Sequence, residues 1–515
     1  LTVATLIVIV ALLVSGLRLV LPQLDAWRPQ LLEKISTLTG TPVDASQITA
    51  SWQNFGPTLD VRDIQVGLKD GGKMAVKRVT LALDVWQSLL HMRWQFRDLT
   101  FWQLQVHTNT PIQTNDGGES LKTDRISDLF LRQFDHFTLR DSHLSFLTIS
   151  GQRAELAVPQ LTWLNGRNRH RAEGQLSLSS LTGQHGVMQV RMDLRDEDGL
   201  LNKGRVWLQA DDIDVKPWLG RWMQDNIALK SARFSLEGWM TIEKGDVASG
   251  DVWLKKGGAS WQGDDEVHHL SVDNLTAHLS HDKQSWGFYI PDTRIAIDDK
   301  PWPSGALAMA WIPAQDVGGD DHQRSDELRI RASNLTLSGL SGLQPFADKL
   351  APSLGELWRT TQPSGKINLL ALDIPLQATE KTRFQAQWSD LAWKQWKLLP
   401  GAEHFSGSLN GSVEHGELRA RMTQALMPYT GVFRAPLEIA AGEATLSWVK
   451  NDKGFMLDGR DIDVQATGVR ARGGFRYLQP QGDDPWLGIL AGISTNDGGQ
   501  AWRYFPENLM GKALV

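Results

Sequence analysis

Four histidines crowd one stretch of this chain, His268, His269, His278 and His281, and a metal centre would need two or three of them converging on one ion. No His-Glu-x-x-His motif accompanies them, and His278 alternates with the apolar positions of a strand, so the cluster reads as solvated or structural. Paired acids offer a second chemistry. Asp211/Asp212, Asp461/Asp463 and Asp483/Asp484 could supply a glycosidase dyad only if two carboxylates flanked a cleft about 5 to 10 Å apart. The first two pairs fall inside a recurring strand phrase, which assigns them to strand edges or turns. The chain has no Cys, which excludes thiolate metal sites, a disulfide scaffold and a Cys nucleophile. A Gly-x-Ser-x-Gly elbow and a phosphate-binding Gly-Lys-Ser/Thr loop are also missing from the sequence. No catalytic residue, metal or cofactor is therefore expected.

The elements that would position any site are announced by the recurring phrase itself: Asp or Asn, an aliphatic residue, any residue, then usually another apolar one. It appears at Asp63-Ile64-Gln65-Val66, Asp98-Leu99-Thr100-Phe101, Asp212-Ile213-Asp214-Val215, Asn274-Leu275-Thr276-Ala277, Asn334-Leu335-Thr336-Leu337, Asp390-Leu391-Ala392-Trp393 and Asp461-Ile462-Asp463-Val464. From the third copy onward the spacing is roughly 55 to 70 residues, the mark of a repeated architecture. Asn274 and Asn334 match a glycosylation sequon, but their place in the phrase makes them strand starts. Around the phrase runs period-two alternation: Leu59 and Val61, then Ile64, Val66 and Leu68; Val79, Leu81, Leu83 and Val85; Met188, Val190, Met192 and Leu194 before an Asp198-Gly199 hairpin turn. Val206, Leu208 and Ala210 continue it, as do Trp286, Phe288 and Ile290, then Leu307, Met309 and Trp311, then Leu328, Ile330 and Ala332. Each set makes one apolar and one polar face. Helices are few: Trp27 to Leu38, capped by Asp25 with Pro29 in its first turn, and short ones over Asp124 to Phe134, Val215 to Gln224 and Leu343 to Trp358. Gln113 to Ser120 and Gln315 to Ser325 read as polar loops.

A chain of 515 residues exceeds one ordinary hydrophobic core, so several domains or an elongated repeat are expected. Its net charge of −6 provides no basic field for nucleic acid. Trp outnumbers Tyr 22 to 4, a bias toward rings that anchor strand packing and groove rims. Leu1 to Leu17 carries no charge. With Leu19 to Leu21 and a snorkelling Arg18, a helix of about 31 Å would cross a bilayer, anchored by Leu6, Ile7, Ile9, Leu12, Leu13 and Leu17. Gly511-Lys512-Ala513-Leu514-Val515 supplies no polar cap or closing strand, so the chain is expected to continue beyond Val515.

Amphipathic helices are too few to cover so many one-sided strands. Sheets curled into a trough would leave an apolar lining, and such a surface normally marks a binding site. An acyl chain fits it: freeing about 16 carbons into water costs on the order of 12 kcal/mol, which a lined groove avoids. At about 4.8 Å per strand, some 25 to 30 strands would span about 100 Å.

The order of apolar helix, amphipathic helix, Thr39-Gly40-Thr41-Pro42-Val43 and Pro57-Thr58-Leu59-Asp60-Val61-Arg62-Asp63-Ile64 resembles the amino end of the bacterial AsmA-like proteins. Leu81-Ala82-Leu83-Asp84-Val85-Trp86-Gln87-Ser88-Leu89-Leu90, leading to Phe96-Arg97-Asp98-Leu99, is similar to the chorein-type start of bridge lipid-transfer proteins. The resemblance implies a taco-shaped β-groove, anchored in the inner membrane by a single pass, crossing the periplasm and helping phospholipids reach the outer membrane. It brings no catalytic residues.

The expected fold is therefore mainly β, an elongated, open, repeating β-groove with an N-terminal transmembrane helix and a few short helices. Residues 1–21 would be the anchor, 22–110 the chorein-like start, and 111–515 antiparallel groove segments. By alternation the lining comprises Leu81, Leu83, Val85, Met188, Val190, Val206, Leu208, Phe288, Ile290, Leu307, Met309, Leu328, Ile330, Leu335, Leu337, Leu418 and Ala420. The expected partners are phospholipid acyl chains, the inner membrane and, through a C-terminal part beyond Val515, the outer membrane or envelope proteins. Two other classes stay open: an envelope scaffold offering sheet edges to client proteins by strand addition, and a carbohydrate-active β-repeat enzyme.

Overall fold

The computed structural model describes residues 11–12, 14–16, 18–39, 42–53, 56–67, 72–91, 95–111, 129–147, 153–178, 186–197, 199–216, 228–263, 266–282, 285–314, 326–345, 348, 352–397, 399–433, 435–495, 499 and 503–504. The chain forms two compact units, residues 1–258 and 259–515.

The first unit carries strands β1 (Val43–Asp44), β2 (Gln47–Gln53), β3 (Gly56–Gly67), β4 (Lys73–Leu83), β5 (Phe96–Pro111), β6 (His136–Leu147), β7 (Arg153–Asn165), β8 (Arg169–Leu178), β9 (Gly186–Arg195), β10 (Lys203–Asp214) and β11 (Leu229–Glu243). β2 through β5 pair antiparallel in chain order, and β6 through β11 do the same. β5 and β6 are parallel, so the chain must cross over between them. Strand β12 (Asp246–Gln262) runs through the division. The second unit continues with β13 (Val267–Asp282), β14 (Ser285–Ile290), β15 (Ile295–Ile297), β16 (Lys300–Pro301), β17 (Leu307–Ile312), β18 (Glu327–Thr336), β19 (Ser364–Pro375), β20 (Arg383–Trp393), β21 (Ala402–Ser412), β22 (His415–Met427), β23 (Leu437–Asn451), β24 (Gly454–Ala466), β25 (Val469–Pro480) and β26 (Trp486–Thr495). Here β17 through β26 pair antiparallel in chain order. The expectation of a mainly β chain with few short helices holds.

Helices occur where alternation breaks. α1 (Arg28–Thr39) follows a 3-10 segment, Leu21–Trp27. Asp25 does not cap it: its carboxylate accepts from Ile48 N at 3.0 Å and ties the segment to β2. Strand β4 ends at Leu83, and Val85, expected as a strand residue, opens α2 (Val85–His91). The reason is local: the Asp84 carboxylate accepts from Gln87 N at 3.0 Å, an N-cap that alternation does not reveal. Leu337, also expected in a strand, begins the 3-10 segment Leu337–Leu343, and α3 (Pro352–Thr361) follows. Among the described residues no helix is long and apolar enough to cross a membrane. Of the expected anchor, Leu6, Ile7, Ile9, Leu13 and Leu17 lie outside the described residues, whereas Leu12 is helical and exposed. The loops read at Gln113 to Ser120 and Gln315 to Ser325 also lie outside them.

The recurring Asp/Asn phrase does not start strands. Asp63, Asp212, Asn274, Asn334, Asp390 and Asp461 lie inside strands with φ of 52°, 52°, 64°, 55°, 54° and 54°, left-handed values that Asp and Asn tolerate better than most residues. At Asp212, Asp390 and Asp461 the pairing register slips there, as in a β-bulge. The slip reverses side-chain parity. In β10 the apolar face is carried by Val206, Leu208 and Ala210, then by Ile213, so two outward residues in succession keep the face continuous. Asp98 departs from this rule, and β5 makes its switch at Gln103 instead, with φ 49°. Asp63, Lys77, Gln103 and Asp141 stand level across β3 to β6, and Lys77 Nζ meets the Asp63 carboxylate at 2.7 Å.

Candidate functional site

Directly opposed residues share a face, so register decides which apolar side chains meet. In the second unit, Phe288 opposes Met309, which opposes Ile330, which opposes Leu372. Beside this row run Ile290, Leu307, Ala332 and Leu370, then Ala386, Leu409, Leu418 and Leu446. A third row is Leu335, Ile367, Trp388, Gly407 and Ala420. Leu328 faces Trp311, which opposes Trp286. The parity change at Asn334 explains how even-numbered Leu328 and Ile330 share a face with odd-numbered Leu335. In the first unit Leu81 lies between Leu59 and Leu99, and Val190 opposes Leu208 in a row that begins at Val61, Val79 and Phe101. Val206 pairs with Met192, and Met188 with Ala210. Leu83 packs on the core built by Val79, Phe96 and Leu99.

Each unit's own apolar face is covered in part. Over β4 to β7 the crossover segment brings Phe130 within 5.2 Å of both Phe101 and Phe137, and Phe134 within 5.3 Å of Phe96, measured between ring centroids. A buried polar clamp holds this segment. Asn165 Nδ2 donates to the Phe130 and Phe134 carbonyls at 2.6 and 3.0 Å, and its Oδ1 accepts from Trp163 Nε1 at 2.7 Å. In the second unit the Leu337–Leu343 segment sits against Trp261, whose Nε1 donates to Gly342 O at 2.9 Å. By contrast Trp286, Phe288, Met309 and Trp311 are 36 to 40% exposed, a contiguous apolar surface that, among the described residues, is partly covered at one edge where the His281 ring lies on Trp286. Farther along, Phe384 stacks on Trp448 at 6.2 Å above glycines 411 and 416, and a Cβ on Gly416 would fall 2.3 Å from Trp448 Cζ2. An apolar pocket of about 560 Å³ adjoins this floor, lined by Val413, Trp448, Phe455 and Leu457 with Lys450 at its rim.

The opposite face is charged. Arg331 pairs with Asp373 at 2.6 Å, Arg476 with Asp458 at 2.6 Å, and Asp463 takes Arg470 and Arg472 at 2.8 and 2.9 Å. The two guanidiniums hold the Asp463 carboxyl at about 2. Tryptophans divide between the faces: Trp102 and Trp207 lie under Arg140 and Arg191 at 5.5 and 5.1 Å, cation–π pairs on the charged side. The histidines do not converge. His268 Nδ1 meets Asp298 at 2.9 Å, His278 stacks on Tyr289 at 6.0 Å, and His281 on Trp286 at 4.1 Å. Among the described residues no three His, Asp or Glu side chains are grouped to hold a metal ion.

Sequence alternation missed the clamp at Asn165, because a lone Asn in a strand carries no signal of what it binds. The glycine floor was missed for a similar reason: it becomes visible only once Trp448 is seen above Gly416.

Comparison with known proteins gives two findings. The family model described as "YhdP protein" matches residues 1–515. The chain is 75% identical over 515 residues to "Intermembrane phospholipid transporter YhdP" of Escherichia coli (strain K12), covering 100% of this chain and 41% of that relative. No solved structure matches.

Proposed function

The chain belongs to the YhdP protein family, and from that premise we propose that it forms a membrane-anchored stretch of a path along which phospholipid acyl chains move between membranes. The observation that carries this reading is the registered apolar face left open at Trp286, Phe288, Met309 and Trp311. Acyl chains lying on it lose contact with water at about 0.8 kcal/mol per methylene, while headgroups remain hydrated at the edge, where burial would be costly. The relative's name, an intermembrane phospholipid transporter, supports phospholipid as the cargo. Residues 1–21 cross the inner membrane, the bulk of the chain lies in the periplasm, the sheets curl into a groove, and transport runs from the inner toward the outer membrane. No bond is made or broken, so the protein is not an enzyme.

Photo-crosslinking tests the reading. Crosslinkers at Phe288, Met309 and Ile330 capture phospholipid, whereas those at Arg329 and Arg331, of opposite parity in β18, do not. Equal lipid labelling of both parities would defeat it.

A further inference from the structure

An amphipathic helix normally turns its apolar stripe toward the core. α2 does the reverse. Trp86, Leu89 and Leu90 stand at i, i+3 and i+4, one face of the helix, and are 61, 66 and 76% exposed. Ser88, on another side, is tied to the start of β5, accepting from Gln95 N at 2.9 Å. The outward set of the stripe is therefore fixed by hydrogen bonds at the helix's own base.

Where this stripe sits decides what meets it. α2 follows Leu83 directly, and a Cβ on Gly56 would fall 2.0 Å from Leu83 O, so the helix adjoins the start of β3, where Gly56 pairs with Gln53 at the end of β2. The segment Leu21–Trp27 runs antiparallel to β2, because Asp25 accepts from Ile48 N while Arg28 donates to Ser46 O. Its beginning, Leu21, therefore points toward the Gln53 end of β2, and the apolar residues before it depart from the same end of the unit as α2. Leu12, Leu19 and Val20 on that departing stretch are exposed as well. Arg18 and Arg97 are exposed cations around this end, Arg97 Nη2 donating to Gln53 O at 3.2 Å. Its carboxylates are engaged locally: Asp84 caps α2, and Asp98 accepts from Thr80 and Thr100 at 2.7 and 2.6 Å.

We infer that α2 is a foot set into the headgroup layer of an anionic bilayer, with Trp86, Leu89 and Leu90 inserted and the basic groups against lipid phosphates. A Trp and two Leu beside cations form the composition that settles at that depth. The inference rests on the reading that residues 1–21 enter a bilayer. It gives the unit a second attachment, which fixes its rotation about the anchor.

The lack of Cys makes the test direct. Single-cysteine variants of the 515-residue chain, Leu89→Cys, Leu90→Cys, Gln87→Cys and Leu12→Cys, are spin-labelled and reconstituted in phosphatidylcholine/phosphatidylglycerol vesicles. Leu90 is so exposed that its replacement leaves packing intact. The oxygen-to-nickel-chelate accessibility ratio at 89 and 90 should exceed that at 87 several-fold, placing the labels about 5–10 Å below the headgroup surface. A deep label at 12 with aqueous labels at 89 and 90 overturns the foot and leaves the anchor standing. An aqueous label at 12 overturns both. Labels at 89 and 90 shielded from oxygen and nickel alike mean a protein partner, which also overturns the foot.

Discussion

At Asp461 the backbone holds φ 54° inside β24, and the residue there decides whether Ile462 and Val464 stay on the apolar face. Glycine adopts that conformation without a Cβ penalty, whereas a β-branched residue does not. Asp461→Gly should change the unfolding free energy by only a few tenths of a kcal/mol, and Asp461→Val should lower it by about 1–2 kcal/mol, read by urea denaturation. The repeating Asp and Asn were plain in the sequence, but their role was not. A left-handed residue at a strand boundary and one within a strand carry the same letters, and only pairing partners on both sides distinguish them. The histidine cluster is the complementary case. Its four members are near in sequence, yet strand geometry sends His268 to Asp298 and His281 to Trp286.

Between elements, two contacts carry testable weight. Asn165 holds the Phe130 to Phe134 crossover onto the apolar face through the two bonds it donates, while its Oδ1 accepts from Trp163 on its own strand. Asn165→Ala leaves buried polar groups without partners, so stability should fall by about 3 kcal/mol and the amides of 130–133 should lose protection in hydrogen exchange. Across the β24/β25 hairpin, Asp463 joins Arg470 and Arg472, and its carboxyl is held at about 2, below the ordinary 3.8. A depressed carboxylate stabilises the fold above its unfolded value, and that contribution is lost as pH falls through the folded value. Asp463→Asn should therefore lower the thermal midpoint at pH 7, with the difference from the parent shrinking below about pH 4 and vanishing near pH 2. Element boundaries explain why Val85 was misplaced: its alternation with Leu81 and Leu83 is real, but the Asp84 cap outweighs it. The hairpin signalled by Asp198-Gly199 does form, with β9 and β10 pairing from Arg195 with Lys203 onward, but its connection spans residues 196–202 and Asp198 itself lies outside the described residues.

At the scale of the molecule, the proposed path depends on the uncharged face more than on any single contact. Met309→Asp would set a carboxylate between Phe288 and Ile330, where an acyl chain offers it no hydrogen bond. Lipid transfer between vesicle populations should drop by at least about tenfold for each 1.4 kcal/mol so imposed, while thermal unfolding of the 40%-exposed site stays near that of the parent. The sequence by itself determined the fold class, the period-two faces, the apolar start at residues 1–17 and the lack of thiol chemistry, because each depends on composition or on near neighbours in the chain. Only the tertiary structure decided where parity switches, which apolar residues oppose one another, which of them Phe130 covers in the first unit, and which are left open around Met309 in the second. Those outcomes depend on register between strands and on segments that return from far along the chain, and register is fixed by partners that no local pattern names.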